Sequence, residues 1–252
     1  MELAQHFPLK NFYLSDVNHA LVITYRVLQS RVADLTDGLL RMEKQWLAAG
    51  KAMRLKRYYE VRDSFNQYAG TSSEMVTPRQ SLEMASQLIF LNRTCFNGLY
   101  RVNAAGQFNT PAGDYEKPVI CDVGNLSLVA QLLAKATIRQ QPFGEALQRI
   151  KAGSFVYLDP PYRPLGKTAS FTAYSAGSFG DREQERLAKV FRRLSGKGVK
   201  VMLSNSDTGD GYFDQLYSGF HIARVPARRA INSVGDRRGP VDEIIVTNYP
   251  AV

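Results

Sequence analysis

The chain has 252 residues, 44% hydrophobic and 22% charged, a balance that suits one sizeable core or a core with an appended lobe. Thirty-two Lys and Arg against 23 Asp and Glu leave a net charge of +9, which excludes an acidic, solvating disordered chain and points to a polyanionic partner. No run approaches the ~18 apolar residues of a membrane span. The opening MELAQHFPLKNFY lacks a secretory layout, and two cysteines with three histidines form neither a disulfide framework nor a zinc cluster. The expectation is a cytoplasmic, metal-free protein with no membrane partner.

NFYLSD (Asn11 to Asp16) reads as a short buried strand ending at a carboxylate. Leu21, Tyr25, Leu28, Val32 and Leu35 then recur every three or four residues as a helix. Asp37-Gly38 is expected to break it before a second amphipathic run from Leu39 to about Ala49. Residues 52–68 and roughly 79–93 read as helices, and 98–120, punctuated by Gly and Asn, as a hairpin and loop. A helix over 126–135 leads to a short segment at Thr137-Ile138 and then to the apolar run SFVYLD (154–159). Asp181 to Gly196 is the cleanest helix: Asp181 is expected to cap it with Gln184, Leu187, Val190, Phe191 and Leu194 share a face, and Gly196 ends it. Residues 199–206, 220–225 and 242–249 read as strands. The alternation implies an α/β fold with a Rossmann-like, mainly parallel sheet built from residues 1–51 and 123–252, interrupted by a mostly helical lobe over 52–122.

The sharpest feature is Asp159-Pro160-Pro161-Tyr162, directly after a strand. Two prolines fix φ and remove amide donors, which leaves the Asp159 carboxylate and the Pro160 carbonyl as acceptors beside an aromatic ring. That set suits a planar ligand bearing an –NH₂ group; the alternative is a rigid turn with a core-packing tyrosine. DPPY in this context resembles motif IV of the S-adenosyl-L-methionine (SAM)-dependent methyltransferases that modify adenine N6 in DNA. YYEVRDSFN (58–66), FLNRTCFNGLYRVNAAGQFNTPAG (90–113), VMLSNSD (201–207) and RRAINSVGDRRGPVDEIIVTNY (228–249) resemble the Dam-like (D12) class in the same order.

The resemblance implies catalytic roles for Asp159, Pro160, Pro161 and Tyr162: the carboxylate and carbonyl orient the adenine amine and the ring stacks on a flipped base. It implies SAM as cofactor, with Asp16 on the ribose hydroxyls and Asp159, Gln141 and Phe143 completing that site; the alternative for Asp16 is a helix N-cap. It implies duplex DNA as partner, contacted by Arg93, Phe96, Asn97, Arg101 and Pro111 of the lobe, with Phe96 an intercalating wedge or, alternatively, a core residue beside Leu91 and Leu99. Arg224, Arg228, Arg229, Arg237 and Arg238 read as a phosphate-facing group, and Cys95 and Cys121 as packing residues.

Members of the class carry a glycine-rich strand-to-turn loop before the acidic strand, whereas here no glycine precedes Gly38. Three explanations follow: a shortened enzyme, a SAM-incompetent DNA-binding remnant, or a second chain that supplies the loop. The reading is a site-specific DNA adenine N6-methyltransferase, with GATC a guess at its site; the alternatives are a remnant or subunit of such an enzyme and a cytosine N4-methyltransferase.

Overall fold

A computed structural model describes residues 12–68, 76–163, 179–227 and 241–250, in two compact units, Met1–Phe143 and Gly144–Val252.

In the first unit, β1 (Phe12–Asp16) lies parallel to β2 (Ala136–Gln140). β1 is half-buried where a buried strand was expected, because alternate side chains leave the packed face and Tyr13 is 65% exposed. α1 (His19–Ala48) starts at Asn18, whose side-chain oxygen accepts from the Ala20 and Leu21 N–H groups. The helix runs through Asp37-Gly38 without a break. Its irregularity is at Arg31 (φ −144°), where the Ser30 hydroxyl bonds back to the Arg26 carbonyl and Arg31 reaches Asp34 and the Pro78 carbonyl. Gly38 is instead a contact point: a Cβ there would meet Ser86 Oγ at 3.3 Å, so the missing side chain lets α1 lie close to α3 (Pro78–Thr94).

Leu35, Leu39 and Trp46 of α1, Tyr58 of α2 (Lys51–Asn66), and Phe90 and Leu91 of α3 form one core. Three polar anchors fasten the irregular chain beyond α3 onto these helices. The Tyr58 hydroxyl donates to the Thr110 carbonyl (2.8 Å), Trp46 Nε1 donates to the Tyr115 carbonyl (3.2 Å), and the Glu43 carboxylate accepts from the Ile120 and Cys121 N–H groups (2.6 and 2.9 Å). The expected hairpin is reduced to one bridge, Val102 to Phe108, closed by a turn in which Gly106 takes φ 76°. Cys95 and Cys121 are buried packing residues. α4 (Val123–Leu133), capped by Asp122, leads into β2, and α5 is the single turn Phe143–Ala146.

The second unit holds a four-stranded sheet in the order β3 (Phe155–Leu158), β4 (Lys200–Ser206), β6 (Val241–Thr247), β5 (His221–Ala227). β3 and β4 are parallel, but β6 is antiparallel to both neighbours. The sheet is therefore less parallel than expected, because β5 and β6 pair as consecutive antiparallel strands that need no crossover helix. Among the described strands β3 stands at the end of this order, with Val156 and Leu158 buried and Phe155 and Tyr157 exposed, so it is not a strand buried on both faces.

α6 (Asp181–Gly196) buries Leu187, Phe191 and Leu194, and Phe191 meets Tyr217, just after α7 (Tyr212–Leu216), edge-to-face at 5.3 Å. Its cap differs from the expectation. Gly180 is the N-cap residue, Asp181 takes Arg163, and Gln184 is fully buried. Its end is a Schellman motif closed by Gly198 (φ 74°), with bonds from Gly198 N to Ser195 O and from Val199 N to Leu194 O. Gly198, not Gly196, carries the backbone requirement. Gly198→Ala is expected to lower the unfolding free energy by about 1 kcal/mol, since a Cβ disfavours the left-handed region. Gly196→Ala, with open space at its Cβ, is expected to be neutral or stabilising in the same urea titration.

Candidate active site

Asp159–Tyr162 leaves the carboxyl end of β3 in the second unit. Neither Pro160 nor Pro161 has an N–H. Asp159 Oδ1 accepts from the Ser204 hydroxyl (3.2 Å), and Ser204 Oγ is 2.8 Å from the Tyr157 hydroxyl. Among the described residues nothing donates to Asp159 Oδ2 or to the Pro160 carbonyl. The Pro161 and Arg163 carbonyls, by contrast, are both held by side chains, from Gln184 Nε2 (3.1 Å) and Ser206 Oγ (2.7 Å). The turn thus carries two acceptors in succession, on exposed Asp159 and buried Pro160, with no donor among the described residues.

Tyr162 is half-buried rather than packed in a core, and its hydroxyl donates to Glu243 of β6 (3.2 Å). Crowding by neighbouring atoms raises the Asp159 pKa above the usual aspartate range although the residue keeps a solvent-facing side; the Ser204 hydrogen bond opposes this and the Glu243 charge adds to it. Burial raises the Tyr162 pKa too, with Glu243 and Asp159 adding to it against a Ser204 bond, so the hydroxyl stays a donor. Sequence reasoning passed over Ser204, Glu243, Gln184 and Asn205. The readable signal was a polar run, Ser204-Asn205-Ser206, closing an otherwise apolar strand.

In the first unit, Asp16 ends β1 and its Oδ1 accepts from Asn18 N–H (2.7 Å), while Asn18 itself caps α1. The N-cap alternative for Asp16 is therefore overturned, and Oδ2 has no protein donor among the described residues. Gln141 is brought to it, its N–H donating to the Asp16 carbonyl (3.1 Å). Phe143 opens α5 and is partly buried. Tyr25 and Tyr100 flank the carboxylate: burial, then the Asp16 charge, raises the Tyr25 pKa, and burial raises that of Tyr100 against an Asn18 hydrogen bond, with the Asp16 charge adding to it.

The lobe residues gather around the end of α3. Arg93 is exposed in its last turn. Phe96 is 48% exposed while Leu91 is buried, which removes the core alternative for Phe96. Its N–H donates to the Pro111 carbonyl (2.9 Å), and Asn97 and Gly98 follow in left-handed conformation (φ 54° and 64°). Arg101 spans the hairpin with Nε on Asn109 Oδ1 (2.7 Å) and Nη2 on the Asn109 carbonyl (3.2 Å), so it is partly engaged within the protein.

Arg224 is not a free phosphate ligand, being paired with Asp207 (2.6 Å) and Asp214 (2.7 Å). Arg228, Arg229, Arg237 and Arg238 lie outside the described residues. Among the described residues no group of three or more His, Cys, Asp or Glu is placed to hold a metal, and no helix is long and apolar enough to cross a membrane.

Residues 2–231 match the family described as D12 class N6 adenine-specific DNA methyltransferase. The type II methyltransferase M.MjaIII of Methanocaldococcus jannaschii is 42% identical over 248 residues, covering 98% of this chain and 83% of the relative. The type II methyltransferase M1.LlaDCHI of Lactococcus lactis is 34% identical over 239 residues (94% and 78%). The DNA adenine methylase of Escherichia coli K12 is 31% identical over 241 residues (96% and 80%). With the family matched over nearly its whole length and the acceptor turn in place, the chain belongs to the D12 class of N6 adenine-specific DNA methyltransferases.

Proposed function

We propose that the chain transfers the methyl group of SAM to the N6 amine of an adenine flipped out of duplex DNA. The observation that carries this reading is the pair of open acceptors at Asp159 Oδ2 and Pro160 O on a turn with two N–H groups removed. An exocyclic amine offers two N–H donors, and satisfying both on these acceptors orients the nitrogen lone pair towards the methyl donor and disfavours its delocalisation into the ring. Pro161 keeps the turn extended and Tyr162, its hydroxyl tethered to Glu243, offers a ring face to the base.

The open Asp16 carboxylate fits the ribose diol of SAM, with Gln141 and Phe143 on the adenine end. SAM, when bound, supplies a methyl group activated on a sulfonium. Residues 1–51 and 123–252 act as the methyltransferase core and 52–122 as the DNA reader. In that reader Phe96 wedges into the stack, and Arg93, Asn97, Arg101 and the Pro111 turn contact bases and phosphates, with Arg228 and Arg229 on the backbone. GATC is the first duplex to test.

Asp159→Ala is expected to cut methylation by at least about 10²–10³-fold while duplex affinity stays within about threefold; normal methylation by this variant overturns the reading. Calorimetry should give SAM binding that Asp16→Ala abolishes, and no binding by the parent chain would make it a SAM-incompetent DNA-binding protein. Mass analysis of digested DNA should find N6-methyladenine rather than N4-methylcytosine.

Catalysis needs Asp159 ionised, so activity falls as pH drops through its raised pKa, and the acid limb of the pH–rate profile lies above the ordinary aspartate range. Ser204→Ala removes a bond that favours the carboxylate and should move that limb to higher pH. Glu243→Gln removes a neighbouring negative charge and should move it to lower pH.

A further inference from the structure

We propose that Gln184 and Asn205 are positioning residues for methyl transfer, fixing the backbone of the Asp159–Arg163 turn from beneath so that its two open acceptors hold their aim. This rests on the reading of that turn as the site of transfer. Both side chains are completely buried, as is that of Ser206. Gln184 Nε2 donates to the Pro161 carbonyl (3.1 Å), and Gln184 Oε1 accepts from Asn205 Nδ2 (3.4 Å). Asn205 Oδ1 accepts from the Arg163 N–H (3.0 Å) and the Ser206 N–H (2.9 Å). Ser206 Oγ donates to the Arg163 carbonyl (2.7 Å).

These bonds take the groups that flank the proposed acceptors and leave the acceptors themselves open. Two prolines remove two of the turn's amide donors, so its position relative to the sheet depends on side chains of α6 and β4. The Arg163 side chain adds a second tie: Nε and Nη2 on Asp181 (2.8 and 3.1 Å), Nη1 on Asp210 (2.5 Å), and the guanidinium 4.1 Å from the Tyr212 ring centre. Hydrogen bonds to Asp181 and Asp210 raise the Arg163 pKa; the Arg163 bond lowers that of Asp181, and the Thr208 hydroxyl first, then Arg163, lowers that of Asp210. A shift of the turn by about 1 Å is enough to cost on the order of 10²-fold in rate.

The test is steady-state methylation by the full chain carrying Gln184→Met, which keeps the volume and removes both hydrogen bonds, beside Asp159→Ala and Leu187→Ala. Leu187 is buried on the same helix, contacts none of these groups by hydrogen bond, and reports loss of stability alone. Gln184→Met is expected to lower kcat by about 10–100-fold with KM for SAM and DNA within about twofold. Ser206→Ala, acting on the same turn, should lower kcat less than additively when combined with it. Leu187→Ala should keep its kcat well below its melting temperature. Unchanged kcat in Gln184→Met beside an inactive Asp159→Ala overturns the positioning role, as does a loss confined to KM or one that Leu187→Ala reproduces. Retained activity in Asp159→Ala overturns the underlying reading instead.

Discussion

Two consecutive prolines at the carboxyl end of a strand set a hydrogen-bonding problem that shapes the second unit. Residues 160 and 161 cannot donate, so the chain leaving β3 cannot be fastened by backbone ladder bonds. The fastening comes from side chains instead: Ser204, Asn205 and Ser206 at the end of β4, Gln184 from α6, and Glu243 from β6. Three of these, Gln184, Asn205 and Ser206, are wholly buried, and each has its polar atoms paired, the condition under which buried polarity rigidifies a structure rather than weakening it. α6 is long and strongly amphipathic because it has two tasks. Leu187, Phe191 and Leu194 pack its core face, and the first turn delivers Asp181 and Gln184 to the segment after the prolines.

Charge is distributed with the same economy. The excess of nine positive charges suits a polyanionic substrate, yet two arginines of the second unit are committed internally, Arg163 to Asp181 and Asp210 and Arg224 to Asp207 and Asp214. Such pairs are partly exposed and contribute little to stability singly. Their geometry is informative all the same, since both arginines tie the 207–214 segment to neighbouring elements. Asp159 is the contrasting case. Among the described residues it has a hydroxyl and no cation for company, and a second carboxylate, Glu243, shares its surroundings. A carboxylate left without a counter-charge is the one available to accept from a neutral amine.

The DPPY turn, the strand ending in Asp16 and the clean helix over 181–196 were legible because each rests on local chemistry: fixed φ, an acid at a strand end, apolar residues at helical spacing. The misreadings share a cause. Gly38 was taken for a break, yet it is a place where two helices approach; Gln184 was taken for half of a cap, yet its Nε2 donates to the Pro161 carbonyl, 23 residues earlier. Glycine and glutamine have local meanings that tertiary contacts override. Glu243 gave no signal at all, because its role depends on the antiparallel pairing that sets β6 beside β4. Arg224 illustrates the same limit for charge, since composition cannot distinguish a phosphate ligand from an arginine already paired with two aspartates.

The end of α3 extends the argument to the first unit. Phe96 stands 48% exposed, and exposing an aromatic ring gains nothing for folding, so the local backbone must impose it. It does so through three constraints. The Phe96 N–H is bound to the Pro111 carbonyl, Asn92 Nδ2 holds the Gly98 carbonyl (2.8 Å), and Asn97 occupies a left-handed conformation that asparagine tolerates better than most residues. Gly113 sits so close to the Cys95 carbonyl that a Cβ would lie 2.9 Å from it, which locks the returning strand against the turn. A ring fixed outward by four separate features is an apolar group made rigid at the surface, and in the proposed role of a wedge such rigidity keeps the entropy lost on entering a base stack small. In each unit, then, groups that do nothing for the core are held in place by hydrogen bonds, from side chains at the Asp159–Arg163 turn and chiefly from the backbone at Phe96.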